Sequence, residues 1–161
     1  MNKLMATVAG LLFSASAFAQ SELPNTVIKN VSTGKKVAFQ ETVEPGKVTL
    51  VSFWATWCVP CLQNIEAIHN MDLPANLEII YISMDRTKDR EKWSKKSHDF
   101  NLSNSYLFAE TQNNKAIITK IGLNQLPRYI LVDKDFNILN PNLATPQETD
   151  FLKELEMYIN K

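Results

Sequence analysis

The chain has 161 residues, with 17 Lys and Arg against 17 Asp and Glu, and 45 % of it is apolar. That length fits one domain with an adequate core, and the even charge gives no footing to a nucleic-acid or anionic-membrane partner. It has only 2 cysteines, so no more than one intrachain disulfide can form.

Residues 1–19 read as a secretory signal peptide. Lys3 supplies a minimal positive start, Leu4 to Phe13 is a short apolar region, and Ala17-Phe18-Ala19 is a small-x-small cleavage site. The apolar region is too short to remain in a bilayer as a spanning helix, and no cysteine follows it to carry a lipid anchor. Cleavage after Ala19 leaves residues 20–161 as one domain, and losing Lys3 takes the net charge from 0 to −1.

Thr26 to Lys29 and Lys36 to Phe39 read as two short strands around a Ser32-Thr33-Gly34 turn. Glu44-Pro45-Gly46-Lys47 is the loop into Val48 to Trp54, an apolar, β-branched run with the character of a buried central strand. After a short turn of Ala55, Thr56 and Trp57, Cys58-Val59-Pro60-Cys61 leads straight into a helix. Its 3.6-residue periodicity puts Cys61, Ile65, Ile68 and Asp72 on or near one face. Pro60 suits a first helical turn, where a missing N–H costs nothing. Pro74 then breaks the chain, and Leu77 to Met84 is a second buried strand, parallel to the first because a helix crosses over between them.

Thr87 to His98 is charged and reads as a surface helix tacked down by Trp93. Tyr106 to Phe108 is a short strand, and Asn113 to Ile121 a helix closed by Gly122 as its C′ residue. Arg128 to Asp133 is the next strand, turning at Lys134 to Asn137 into Ile138 to Asn140. For the last helix Thr145 is the expected cap, Pro146 the first position and Glu148 the other half of a capping box. Phe151, Leu152, Leu155, Tyr158 and Ile159 form its apolar stripe.

Export to an oxidising compartment normally invites structural disulfides, yet both cysteines lie in one motif at a strand end and a helix start. Unpaired N–H groups and the macrodipole there favour a thiolate over a thiol. A thiolate beside a second thiol on the same turn is the machinery of disulfide exchange. Cys58, the more amino-terminal and more exposed, is the expected nucleophile, and Cys61 would resolve its mixed disulfide. A static disulfide and a metal site are the competing readings. Four-coordinate zinc wants two more ligands, and His69 and His98, the 2 histidines present, do not pair with the motif by spacing. Both are read as surface residues without a role.

The stretch FWATWCVPC, residues 53–61, is similar to the active-site signature of the thioredoxin superfamily. Residues 20–161 resemble its periplasmic TlpA/ResA-type branch of thiol–disulfide oxidoreductases. A bare CxxC is weak evidence, but a buried strand, a Trp-Cys pair and a following helix together are specific. The resemblance implies an α/β thioredoxin fold with an amino-terminal β-hairpin extension and a central helix–strand insertion supplied by Thr87 to Phe108. It implies a periplasmic monomer with no cofactor beyond the redox-active Cys58–Cys61 disulfide. The implied partners are protein thiols and disulfides, among them apo-cytochrome c or another exported protein, and a membrane thiol-transferring electron donor. Trp57 would belong to a flat apolar contact surface around the cysteines. Trp54 fits that surface and the core equally well, and Phe53 fits the core. Leu126-Pro127 stands where thioredoxin-like proteins carry a cis-proline loop facing the CxxC, whose backbone can pair with an extended substrate segment. Arg128, next to it, reads as an exposed strand start.

Two positions depart from the family. Thioredoxin proper has a buried aspartate six residues before the nucleophile, where this chain has Ser52. The TlpA/ResA branch often has a glutamate three residues after the second cysteine, where this chain has Asn64. Glu66 lies five residues past Cys61, about 140° round the helix, and should not reach. Ser52 and Asn64 can hydrogen-bond a water but cannot take a proton near neutral pH. The expected activity is mainly reduction of protein disulfides, since Val59-Pro60 brings no histidine or lysine to hold the Cys58 thiolate strongly. Two other classes remain open: a non-catalytic binding or chaperone module on the same fold, and a copper-handling protein.

Overall fold

The computed structural model describes residues 27–30, 33–108 and 112–159. The expected signal peptide and its cleavage site lie outside the described residues, as do Thr26 and Ser32 of the expected hairpin. In chain order the strands are β1 Val27–Asn30, β2 Lys36–Ala38, β3 Val48–Trp54, β4 Leu77–Ser83, β5 Ser105–Phe108, β6 Arg128–Val132 and β7 Ile138–Asn140. The helices are α1 Val59–His69, α2 Arg90–Asp99, α3 Gln112–Lys120 and α4 Phe151–Ile159.

β3 pairs parallel with β4 and antiparallel with β6, and Leu50 to Trp54 are buried. A strand covered on both faces needs such a continuous apolar run. The sheet order is β2-β1-β5-β4-β3-β6-β7. The α2–β5 insertion therefore extends the sheet parallel to β4, and the amino-terminal hairpin continues it by pairing β1 antiparallel to β5. This is the expected thioredoxin fold with its two additions.

Alternation along β3 divides the core. Val51 and Phe53 point to one face, where Ile80, Ile82, Ile130 and Val132 pack with Ile117 of α3. Trp54 points to the other face and meets Cys61 and Ile65 of α1 and Trp93 of α2. Leu50 and Tyr129 meet Ile68 of α1 and Phe151, Leu155 and Ile159 of α4 on that same side. The Trp93 indole also donates to Ser105 Oγ at 3.2 Å, which ties α2 to β5. Gly122 ends α3 as expected: its φ is +59°, and Leu123 N–H returns to Ile118 C=O at 2.9 Å.

Four local expectations are corrected. Phe39 opens a short 3-10 turn, Phe39–Thr42, instead of closing β2. The active-site helix stops at His69, because Asn70 and Met71 turn their N–H groups back three residues to Ala67 and Ile68, both at 3.1 Å. Asp72 is therefore off the helix and exposed. The last helix starts at Phe151, not Pro146. Thr145 and Glu148 do make the capping pair, with Glu148 accepting Thr145 N–H and donating its own N–H to Thr145 C=O, but the pair closes a separate turn. Leu152 is 39 % exposed and drops out of the buried stripe, which is Phe151, Leu155 and Ile159.

Candidate functional site

The chain leaves β3 through a tight turn in which Cys58 N–H donates to Ala55 C=O at 3.0 Å. Cys58 is then the N-cap of α1, in an extended conformation, and its Sγ accepts the Cys61 N–H at 3.3 Å. One of the orphan N–H groups of the helix start is thus aimed at the sulfur, where it and the dipole stabilise a thiolate. Pro60 sits in the first turn, where it forfeits no bond. The two cysteines form a disulfide with their Cα atoms 5.2 Å apart. Cys58 keeps 5 % of its surface exposed and Cys61 none, which supports the order of roles. Trp57 and Val59, flanking Cys58, are 69 % and 61 % exposed, two large apolar side chains left beside the sulfur that opens to solvent. Trp54 is wholly buried, which assigns it to the core with Phe53.

Behind the disulfide lies a polar group among apolar neighbours. The sheet register sets Tyr129 of β6 directly across from Ser52, with Asn64 of α1 above them, one turn past Cys61. All three are buried. Burial pushes the Tyr129 hydroxyl up to about 12, with Ser52 and Asn64 pulling it the other way. Among the described residues that hydroxyl completes no hydrogen bond of normal geometry. Glu66 is exposed, as its helical angle requires, and so are His69 and His98.

A carboxylate does approach the motif, from a different direction. Asp85 lies just past the end of β4 and is buried. Its Oδ1 accepts the Thr56 hydroxyl at 2.7 Å, and its Oδ2 accepts Thr56 N–H at 2.9 Å and the Ser83 hydroxyl at 2.6 Å. The turn carrying Trp57 and Cys58 is thereby fastened to the neighbouring strand. Sequence reasoning missed Asp85 and Tyr129, since each meets its partner only through the pairing of strands distant in sequence. A groove of about 510 Å³ opens beside the turn, with Thr56, Trp57 and Asp85 on one wall and Lys92, Lys95 and Lys96 of α2 on the other.

The Leu126–Pro127 peptide is cis, as expected, and Leu126 packs against the cluster that contains both cysteines. Arg128 is half-buried, and its guanidinium donates to Gly122 C=O at 3.2 Å and Pro141 C=O at 3.4 Å, tying two loops together.

A family model described as thioredoxin-like matches residues 46–138. The chain is 25 % identical over 143 residues to the thiol–disulfide oxidoreductase ResA of a Bacillus cereus strain, covering 87 % of this chain and 76 % of that protein. Thioredoxin H2 of Arabidopsis thaliana is 29 % identical over 124 residues, covering 76 % and 89 %. Among solved structures, the thioredoxin domain of a thiol–disulfide oxidoreductase from Bacteroides vulgatus superposes with a TM-score of 0.63 at 23 % identity, covering 88 % of this chain and 97 % of that one. A thiol:disulfide interchange protein from Bacteroides sp. gives the same TM-score and identity over 88 % and 90 %. These two likenesses concern the fold. The family match spans more than half of the chain and encloses the cysteine pair, its turn and its helix, so the chain belongs to the thioredoxin-like family, as a thiol–disulfide oxidoreductase of the TlpA/ResA type.

Proposed function

We propose that the chain is an exported reductant of protein disulfides that works as a monomer through a mixed disulfide at Cys58. The observation that carries this reading is the N-cap position of Cys58, with the Cys61 N–H directed at its sulfur and the Cys61 side chain fully buried behind it. In the reduced protein the Cys58 thiolate attacks one sulfur of a partner disulfide. A Cys58–partner bond forms, the partner's S–S bond breaks, and the departing partner sulfur takes up a proton. Cys61 then loses its proton and attacks Cys58 Sγ. The Cys58–Cys61 disulfide forms, the second partner thiol leaves, and the partner has gained two electrons and two protons. Trp57 and Val59 offer the apolar surface on which the partner rests, and the Leu126-Pro127 loop offers backbone to an extended segment.

The disulfide so formed needs a dithiol donor to reset it. The TlpA/ResA resemblance supports a membrane thiol-transferring protein for that step, and apo-cytochrome c or another exported protein as substrate. The composition of residues 1–19 supports export to the periplasm with cleavage after Ala19, and the mature protein should begin at Gln20 on amino-terminal sequencing of the periplasmic fraction. Reduction of insulin disulfides by dithiothreitol tests the activity: the wild type should accelerate it and Cys58→Ser should not. A folded wild type without acceleration points instead to a binding or chaperone module.

A further inference from the structure

We propose that Asp85 is a positioning residue for the cysteine pair, a buried carboxylate that fixes the Thr56–Trp57 turn and whose charge keeps Cys58 less acidic than a helix start alone would make it. The inference rests on the redox reading above. Asp85 keeps 5 % of its surface, and both carboxylate oxygens act as acceptors, from Thr56 N–H, the Thr56 hydroxyl and the Ser83 hydroxyl. Its own N–H donates to Ser83 Oγ at 3.1 Å. All these donors are neutral. Among the described residues no lysine or arginine nitrogen pairs with it, and the charged groups sharing its groove are engaged elsewhere. Lys92 lies 3.5 Å from Asp89, Lys95 2.8 Å from Asp99, and Lys96 is 5.6 Å from the centre of the Phe100 ring. A buried carboxylate with no cation is an expensive way to tie down a turn. A neutral asparagine could make the same backbone bond.

What the charge adds is an electrostatic effect on the adjacent thiol. Thr56 is two residues before Cys58, which puts the carboxylate on the order of 10 Å from the Cys58 sulfur. At an effective dielectric of about 20, a unit negative charge there raises a thiol pKa by roughly one unit. The helix start pulls the thiol the opposite way. A less stabilised thiolate makes the reduced form less favoured, so the dithiol gives up its electron pair more readily. The carboxylate thus biases the site toward reduction.

Asp85→Asn keeps an oxygen for Thr56 N–H and removes the charge, whereas Asp85→Glu keeps the charge and changes the reach. The measurements are the pH dependence of Cys58 alkylation by iodoacetamide and the redox equilibrium against glutathione. Asp85→Asn should lower the Cys58 pKa by about one unit. It should also shift the equilibrium toward the reduced protein by about tenfold at pH 9 and about twofold at pH 7. Asp85→Glu should leave the Cys58 pKa near that of the wild type while slowing attack on a protein disulfide. An unchanged pKa in folded Asp85→Asn, or equal shifts in both variants, overturns the assignment. The wild type decides by itself if neither variant folds: a Cys58 that titrates above about 7, the thioredoxin value, supports the proposal, and one that titrates below it refutes the proposal. Alkylation needs only a thiol, so this profile in a protein that fails to reduce insulin would refute the reductase reading and leave the role of Asp85 standing.

Discussion

Replacing Asn64 by glutamate puts a carboxylate one helical turn past Cys61, where this chain has a buried amide. The site can hold it, because Ser52 and Tyr129 place two hydroxyls there as donors while burial holds a carboxyl group toward its protonated form. Those opposed effects leave the new group able to accept a proton near neutrality, where a general base works best. The gain follows from the thiol. A free thiol of pKa about 8.5 is only about 3 % ionised at pH 7. Full deprotonation of Cys61 is then worth about 30-fold at pH 7 for an unshifted thiol, more where burial disfavours the thiolate, and the gain fades only as pH passes the thiol's own pKa. We expect Asn64→Glu to resolve the Cys58 mixed disulfide at least about tenfold faster at pH 7, with a flatter profile between about pH 6 and 8. Stopped-flow release of thionitrobenzoate from Cys58 reads the step directly, and Asn64→Gln controls for side-chain length. Superimposable rates and pH profiles in wild type and a cooperatively folded Asn64→Glu would refute the reasoning, as would equal acceleration by Asn64→Gln.

Cys61→Ser should accumulate mixed disulfides through Cys58 on non-reducing gels and Cys58→Ser few; equal trapping would overturn the assigned roles. Trp57, at 69 % exposure, contributes little to the core, so Trp57→Ala should change stability by no more than about 0.5 kcal/mol yet raise KM for a protein disulfide several-fold. An unchanged KM would remove it from the contact surface. Glu78 is buried, and burial holds its pKa above the usual 4.5 despite the Glu44 N–H at 3.0 Å. The folded protein therefore binds that proton more tightly than the unfolded chain, and the contribution is full below about pH 4.5 and lost as pH rises through the folded value. Glu78→Gln should accordingly gain more in melting temperature at pH 7 than at pH 4, and an equal change at both would contradict this.

The readable parts of the fold were those whose cause is local. The run from Val48 to Trp54 is apolar throughout because the strand is covered on both faces, and Cys58 at the N-cap follows from the strand, turn and proline around it. The start of α4 was legible only in part. Thr145 and Glu148 make a capping pair in any tight turn, and what sets the helix start is tertiary: Phe151 enters the core, and the Glu154 carboxylate holds Ala144 N–H at 3.0 Å. Asp85 is the clearest omission. Its partner Thr56 is 29 residues away, and they meet because β4 lies parallel to β3 and both strands end at the same edge. The available signal was Ser83 and Asp85 as polar residues closing an apolar strand, at the carboxyl end of a parallel pair where α/β sheets place their sites.

The carboxylates of this site are distributed unevenly, and the two steps of exchange feel it differently. On the Cys58 side Asp85 lowers the fraction of attacking thiolate near neutral pH, but a more basic sulfur is the better nucleophile once ionised, so the rate falls by less than the ionised fraction does. On the Cys61 side no carboxylate among the described residues offsets burial. Tyr129, Ser52 and Asn64 leave the resolving proton to solvent, so the second step takes the full penalty. Resolution should therefore limit turnover and rise with pH through the neutral range, whereas the equilibrium, tilted by Asp85 against the thiolate that the helix start stabilises, should favour handing electrons to the partner. A site arranged in this way gains driving force for reduction and turns over more slowly, and the two can be separated because Asp85→Asn acts mainly on the equilibrium and Asn64→Glu mainly on the rate.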